Sequence, residues 1–511
     1  MMICPHCQSQ QADGTAFCGQ CGQPMTVAAP AAPVAAKAPI DFKKFIKPGI
    51  AVVAVIAVVI VLFSVLGGGA AATGFLYVQD GEGFFLEKAG AEGWQHTDDL
   101  TDSNIGESIL AGGHLFYLDR GDSLYYRPAD DPEGEAVKLS SDVESFAPSK
   151  DGDQVLFVSD DNLYFHDLDE KTKIASDVDD RFYPSLEADE AIYESDGSCY
   201  YWDGNDAVKL FSEGSLKHIT NDFSAVYYKK DDAFYLRDLG DEDGIKLVDD
   251  CTGTSPIYED GTFYFGQYVD PDDPSEGTNL CYYDGSTTVT LLNSIKDGQF
   301  CDEAAAAFIA DKDDTYYVAV EGTLTTLAFS EKINDLTFAE DGSAIYLTAN
   351  VCDNHGDLYK IAISGSTAEE PTLYDTDVYY SITCSGTDVM YYKNHTDKSS
   401  DLYRNGEMIA TDVYSKTVTE DGTVYLRTDY DNGSYTLSVY DGSIEKIADD
   451  VHSFVVADNG EVAFLADWSS SRDKGTLYTW DGGDPEKIAD DVSRVDAVQC
   501  VTDELNSNFE N

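Results

Sequence analysis

One phrase recurs along this chain, and the recurrence limits the fold more than any other feature. From Thr419 the sequence reads TEDGTVYLRTDYDNGSYTLSVYDGSIEKIADDV, with Asp421-Gly422, Asn432-Gly433 and Asp441-Gly442 set between runs rich in Tyr, Val and Thr. Gly and Asn tolerate the positive φ of tight hairpin turns, and the period-two runs between them read as strands. On that alternation Val424 and Leu426 share a face with Tyr435, Leu437 and Val439, with polar residues opposite. Adding residues 413–419 before and 444–448 after predicts an antiparallel meander of four strands and about 38 residues.

A single such sheet cannot bury its own faces, so copies must pack on one another. A hydrophobic residue assigned to the second strand recurs at Tyr77, Tyr117, Phe157, Tyr193, Tyr235, Tyr264, Ile309, Tyr346, Tyr391, Tyr425 and Phe464, at gaps of 40, 40, 36, 42, 29, 45, 37, 45, 34 and 39 residues. The turn before it recurs as KDG at Lys150, EDG at Glu259, Glu340 and Glu420, and DNG at Asp458. The turn after the third strand recurs as WDG at Trp202 and Trp480 and as YDG at Tyr283 and Tyr440. The fourth strand closes on KLSSDV, KIASDV, MIATDV, KIADDV and KIADDV, ending at Val143, Val178, Val413, Val451 and Val492.

The spacing predicts an all-β chain, a β-propeller of four-stranded blades with about eleven repeats over residues 75–500. Eleven exceeds the usual four to eight blades, so two tandem rings stand as the alternative. The 29-residue gap before Tyr264 marks the landmark most open to error. Phe75-Leu76-Tyr77 starts on a second strand, whereas VSRVDAVQ from Val492 stops after a first strand. Pairing of the two ends would complete one sheet and leave no open edge there.

The first 24 residues differ in kind. Cys4 and Cys7 lie in C-P-H-C, and Cys18 and Cys21 in F-C-G-Q-C-G, giving C-x2-C-x10-C-x2-C. Two such hairpins supply four thiolates to one ion and leave no open coordination position, the pattern of structural zinc. So short a module has little core without its metal. It resembles the N-terminal zinc-ribbon domains common in bacterial membrane proteins, with Cys4, Cys7, Cys18 and Cys21 at that family's four ligand positions.

An Ala/Pro-rich linker with a basic flank occupies residues 25–47, and a transmembrane helix is predicted over residues 48–66. The latter contains GIAVVAVIAVVIVLFSVL, 18 apolar residues, which as a helix reach about 27 Å and cross a hydrocarbon core. Lys37, Lys43, Lys44 and Lys47 all precede it, so the zinc ribbon is expected in the cytosol and the repeats outside. A Gly/Ala linker (67–74) and a polar tail (501–511) bracket the repeats.

Beyond Lys47 the chain has 28 basic and 93 acidic residues, a formal charge of −65. Such a surface repels nucleic acid and anionic headgroups and favours solubility. Acidic clusters at Asp311–Asp314, Asp270–Asp273 and Asp429–Asn432 offer hard oxygens, which makes calcium a second, weaker cofactor candidate beside zinc; none completes an EF-hand, since the twelfth position from Asp429 is Tyr440. Cys199, Cys251, Cys281, Cys301, Cys352, Cys384 and Cys500 are odd in number and read mostly as small packing residues.

No G-x-S-x-G, H-E-x-x-H or P-loop occurs, and the outer histidines show no metal-ligand spacing. The repeats resemble TolB-like and related bacterial propellers, a likeness of turn and strand phrases that implies the fold and assigns no residue a role. The expectation is a single-pass surface protein whose propeller binds an extracellular protein, peptide or glycan without catalysis, the zinc ribbon meeting a cytosolic partner or anchoring the chain. The alternative is an extracellular propeller enzyme, a metal-assisted hydrolase or lactonase.

Overall fold

The computed structural model describes residues 2–3, 10–11, 74–88, 94–96, 100, 107–129, 135–379, 381–396, 398–419, 421–457 and 459–501. The chain divides into two units, Met1–Gly69 and Ala70–Asn511. In the first, Met2–Ile3 pairs antiparallel with Gln10–Gln11. Cys4, Cys7, Cys18 and Cys21, the apolar segment 48–66 and the tail beyond 501 lie outside the described residues. Among the described residues no helix is long and apolar enough to cross a membrane.

Among the described residues of the second unit, one 3-10 turn at Pro274–Glu276 interrupts an otherwise all-β chain. Its unit is the predicted meander: Val143–Pro148, Val155–Ser159, Asn162–His166 and Lys171–Ser176 pair in that order, each antiparallel to the next. Eleven such four-stranded repeats occur among the described residues. Ten of the eleven sequence landmarks lie on second strands. Tyr235 does not: it lies on the third strand, Ala233–Asp238, and the second-strand residue is Tyr228, its partner in register, stacked on it at 5.1 Å. The turn between them is Asp231-Asp232, both at positive φ (48° and 58°), so no glycine marks the strand boundary. With Tyr228 in place the irregular gaps become 35 and 36 residues.

The expected division into an apolar and a polar face also fails. Val424 and Leu426 pack against Met390, Leu402 and Ala410 of the preceding repeat, while Tyr425 joins Tyr435, Leu437 and Val439 against the following one. A sheet held between two neighbours is buried on both faces, so its second strand is a continuous apolar run rather than an alternation. Each core cluster joins consecutive repeats. One joins the eleventh to the first, through Leu465 and Leu477 against Phe75, Tyr77, Leu86, Val492 and Val495. The chain ends pair as the sequence called for: Gly74–Gln79 lies antiparallel to the end of Glu486–Ala497, with Tyr77 opposite Val495. Gln499–Cys500 then continues parallel to Ser108–Ala111, covering the edge of the second repeat.

The KIADDV cadence is the joint between repeats. In the tenth repeat Lys446 pairs with Asp449 at 2.7 Å, and Asp449 also accepts from Thr436 on the third strand at 3.0 Å. Asp450 takes φ 53°, and Val451, wholly buried, begins the next repeat. One strand, Ile444–Val456, therefore serves both repeats, bending at Asp450 with a register shift. The same left-handed residue precedes the next repeat at Asp142, Asp177, Glu213, Asp250, Ser294, Asp377, Asp412 and Asp491, with φ between 52° and 57°. Asp is among the few side chains that enter this region at modest cost. Backbone bonds tie these corners to the second-to-third-strand turn, as from Val143 N–H to the Asp122 carbonyl (2.7 Å) and from Val178 N–H to the Asp161 carbonyl (2.9 Å).

Candidate ligand-binding face

The antiparallel meander gives every repeat two ends. One carries the first-to-second and third-to-fourth turns, where an Asp or Asn side chain accepts from the backbone two residues on: Asp260 from Thr262, Asp341 from Ser343, Asp421 from Thr423, Asn459 from Glu461, Asp203 from Asn205 and Asp284 from Ser286, all at 2.9–3.0 Å. Asp203 is lowered chiefly by the Asp206 N–H, and Asp284 is held at about 2, chiefly by the Thr287 N–H. This end is closed. Gly112 takes φ 53°, and a Cβ there would collide with the Asp151 carbonyl in the next repeat's turn.

The other end carries the corners and the second-to-third-strand connections, which vary. They are two-residue turns at Asp80-Gly81, Asp160-Asp161, Asp196-Gly197 and Asp231-Asp232, but longer between Phe263–Tyr268 and Thr278–Tyr283, between Asp388–Lys393 and Ser400–Arg404, and between Val462–Ser469 and Lys474–Trp480. Variable connections on a repetitive frame are where binding residues usually sit.

Two features lie at this end. The first is a cleft of about 520 Å³ between the seventh and eighth repeats, lined by Lys296, Asp314, Tyr316, Glu331, Lys332 and Asp335. Here the corner is missing. Thr323–Thr326 and Ile333–Phe338 are joined by residues 327–332 rather than by one bent strand, and the first strands of the two repeats stand apart around the cleft. Lys296 pairs with Asp314, which raises the lysine's pKa. The loop is pinned by Leu327, 3% exposed, and by Phe329 edge-on to Tyr359 at 5.0 Å.

The second is a series of stacked aromatic pairs in the ninth, tenth and eleventh repeats. The residue just after the corner stacks on one at the end of the second strand: Tyr379 on His395 (4.0 Å, 29°), Tyr414 on Tyr430 (4.2 Å, 11°) and His452 on Trp468 (4.0 Å, 8°). Tyr414 is 48% and Tyr430 37% exposed. His355 of the eighth repeat meets Tyr379 edge-on at 6.1 Å. These histidines show no metal-ligand spacing in the sequence, yet the fold sets each against an aromatic ring. The clue in the sequence was the residue after the cadence, aromatic or His in DVY, DVY and DVH and small or charged in most other repeats.

A smaller pocket of about 280 Å³, between the fifth and sixth repeats, contains Lys217, Lys229 and Cys251. Burial pushes the Cys251 thiol up to about 11, so it stays protonated and is a poor nucleophile. Cys199, Cys281 and Cys301 are buried and shifted the same way. The acidic clusters are engaged in their own turns: Asp311 accepts from the N–H groups of Asp313 and Thr315 and from Tyr317 OH, and Asp270 from Asp272 N–H. Among the described residues no group of three or more His, Cys, Asp or Glu is placed to hold a metal ion. Arg237 is buried and donates to the carbonyls of Lys209, Leu210 and Asp241, and Arg404 pairs with Asp388.

No protein-family model and no curated protein matches the sequence. Among solved structures, the chain is similar to a eukaryotic initiation factor at 9% identity and TM-score 0.40, covering 84% of this chain and 99% of that one. It is similar to a prolyl endopeptidase at 15% identity and TM-score 0.26, covering 58% of this chain and 55% of that one. A third, KlHsv2 with loop 6CD replaced by a Gly-Ser linker, aligns at 11% identity and TM-score 0.27, covering 53% of this chain and 97% of that one.

Proposed function

We propose that this protein is a single-pass surface receptor whose repeats form one closed eleven-bladed propeller. It binds an extracellular protein, peptide or glycan on the end that carries the corners, over repeats seven to eleven, without catalysis. Supporting one ring over two, every core cluster joins neighbouring repeats and one joins the eleventh to the first. Two rings would place a cluster between distant repeats. The four N-terminal thiolates would hold zinc as a closed structural shell on the cytosolic side of the membrane, and segment 48–66 would be the anchor.

The observation that carries the binding reading is the coincidence on one end: the cleft and all three aromatic pairs lie there, whereas the opposite end is built of short turns that use their own polar groups. The test uses full-length protein in nanodiscs and native cell-envelope material. Ala310→Trp, which fills the cleft, and Tyr414→Ala are expected to reduce binding, and Asp203→Ala at the opposite end to leave it unchanged. Equal binding by all three overturns the assignment. Turnover on lactone or glycoside panels would favour the hydrolase instead.

A further inference from the structure

The aromatic pairs carry the reading one step further, to the ligand's class; this step rests on the binding face assigned above. We propose that repeats nine to eleven form a ladder of stacking platforms for a linear, uncharged glycan.

Three features of the pairs select that occupant. First, they are periodic. The pairs of Tyr414 with Tyr430 and of His452 with Trp468 each belong to one sheet, and that of Tyr379 with His395 bridges the edge of the eighth repeat's sheet and the end of the second strand of the ninth. Stacked sheets lie about 10 Å apart, so the platforms recur at roughly the length of a disaccharide and span about 20 Å from first to third. A polymer with a repeating unit can present the same face to each platform. Second, the pairs are separated by polar residues rather than merged into one apolar patch. Asp412, whose carboxylate accepts from Ser399 Oγ at 3.3 Å, lies beside Tyr414, and Ser415 and Ser453 lie on the same first strands. A protein hot spot wants a contiguous core that excludes water. Isolated ring faces flanked by hydroxyl and carboxylate acceptors suit a sugar, apolar on its ring faces and polar at its edges. Third, the imidazoles are oriented in advance. His452 Nδ1 donates to the Gly433 carbonyl at 3.1 Å, and His395 Nδ1 bonds Ser400 Oγ at 2.8 Å. In the neutral ring this leaves Nε2 of His452 as an acceptor for a sugar hydroxyl. Rings held in place before binding lose little entropy on binding. Charge fixes the sign: a domain at −65 repels uronic acids, teichoic acids and other polyanions.

The experiment titrates full-length protein in nanodiscs with cellohexaose, xylohexaose and mannohexaose, following tryptophan fluorescence and heat. Saturable binding of at least one, with a change in Trp468 emission, is expected. Tyr414→Ala and Trp468→Ala should each weaken it about tenfold and the double variant abolish it, whereas Tyr414→Phe, which keeps the ring, should stay within about threefold. Tyr414 is exposed, so its variants should melt with the parent; Tyr414→Phe guards against a folding artefact at that position and Trp468→Phe, which keeps a ring, does so at Trp468. Flat titrations with all three sugars overturn the glycan, as does a peptide or polyanion that binds where they do not. If Tyr414→Ala still loses envelope binding in that case, the face stands and only the ligand class falls. If it binds envelope material normally, both fall.

Discussion

The joint between the tenth and eleventh repeats and the joint between the seventh and eighth use the same strands and differ in one link. At the first, Asp450 turns through φ 53° and a single strand continues, so Val451, Phe454 and Phe464 close with Tyr435 and Leu437 into a dry core. At the second, residues 327–332 replace the bend, and a cleft of about 520 Å³ opens between the two first strands. The left-handed corner keeps the link between neighbouring sheets to a few residues, as one continuous strand at Asp450 and as two strands meeting at Asp142 or Asp177, whereas the link at 327–332 is a six-residue loop. The looser joint also holds the larger of the two pockets described, about 520 Å³ against about 280 Å³.

The comparison breaks most visibly at its aromatic anchors. Phe464, 1% exposed and stacked on Tyr478 at 5.4 Å, should cost about 3–5 kcal/mol when changed to Ala, through lost transfer and a residual cavity. Phe329 anchors the open joint but is only half-buried, so Phe329→Ala should cost about 1–2 kcal/mol, near the centre of single-mutant effects. Urea unfolding of both variants measures the difference. Equal losses would mean that the joint at residues 327–332 is as tightly packed as a corner, and the contrast would be gone.

Most of the frame was legible from residues. The repeat spacing, the Asp-Gly turns and the unmatched chain ends follow from backbone needs that few residue types meet, and each has its place in the fold. Tyr235 was misplaced because AVYYKKDDAFYLR puts tyrosines on both sides of a turn that two left-handed aspartates make without glycine. The face assignment of Val424 and Leu426 assumed solvent on one side, a condition set by neighbouring repeats rather than by the strand itself. The cleft and the aromatic pairs were not legible. Tyr414 and Tyr430, or His452 and Trp468, each lie 16 residues apart in the chain and meet only because adjacent strands align them. The departure from the DV cadence at TLAFSEKIND was visible, but whether a lost corner closes up or opens depends on tertiary packing.

A second measurement sharpens the role of the corner itself. At Asp450, Val would put a β-branched side chain into the left-handed region and should cost about 1–2 kcal/mol, while Gly, which enters it freely, should stay within about 0.5 kcal/mol of the parent. The paired result isolates backbone conformation from charge, because both substitutions remove the carboxylate. If Gly costs as much as Val, the carboxylate rather than the bend holds the joint.

The smallest effect is electrostatic and has a definite sign. Asp449 is lowered first by its bond to Lys446, and Asp490 first by its bond to Lys487. A carboxyl whose pKa is lower folded than unfolded adds stability above the ordinary value of 3.8 and loses it as the pH falls through its folded value. These groups are exposed, so each contributes little. Above pH 5 they stay ionised and the corners should be indifferent to pH. On acidification below about 4 the corner bonds should weaken. No comparable carboxylate bond spans residues 327–332 among the described contacts, apart from Glu370 accepting from Ala328 N–H at 2.8 Å. Hydrogen exchange should therefore show protection at residues 446–451 and 487–492 falling toward that of residues 327–332 between pH 5 and pH 3. A constant ratio between the two joints across that range would show that the Lys-x-x-Asp pairs decorate the corner, and that the left-handed bend and the buried valine hold it without them.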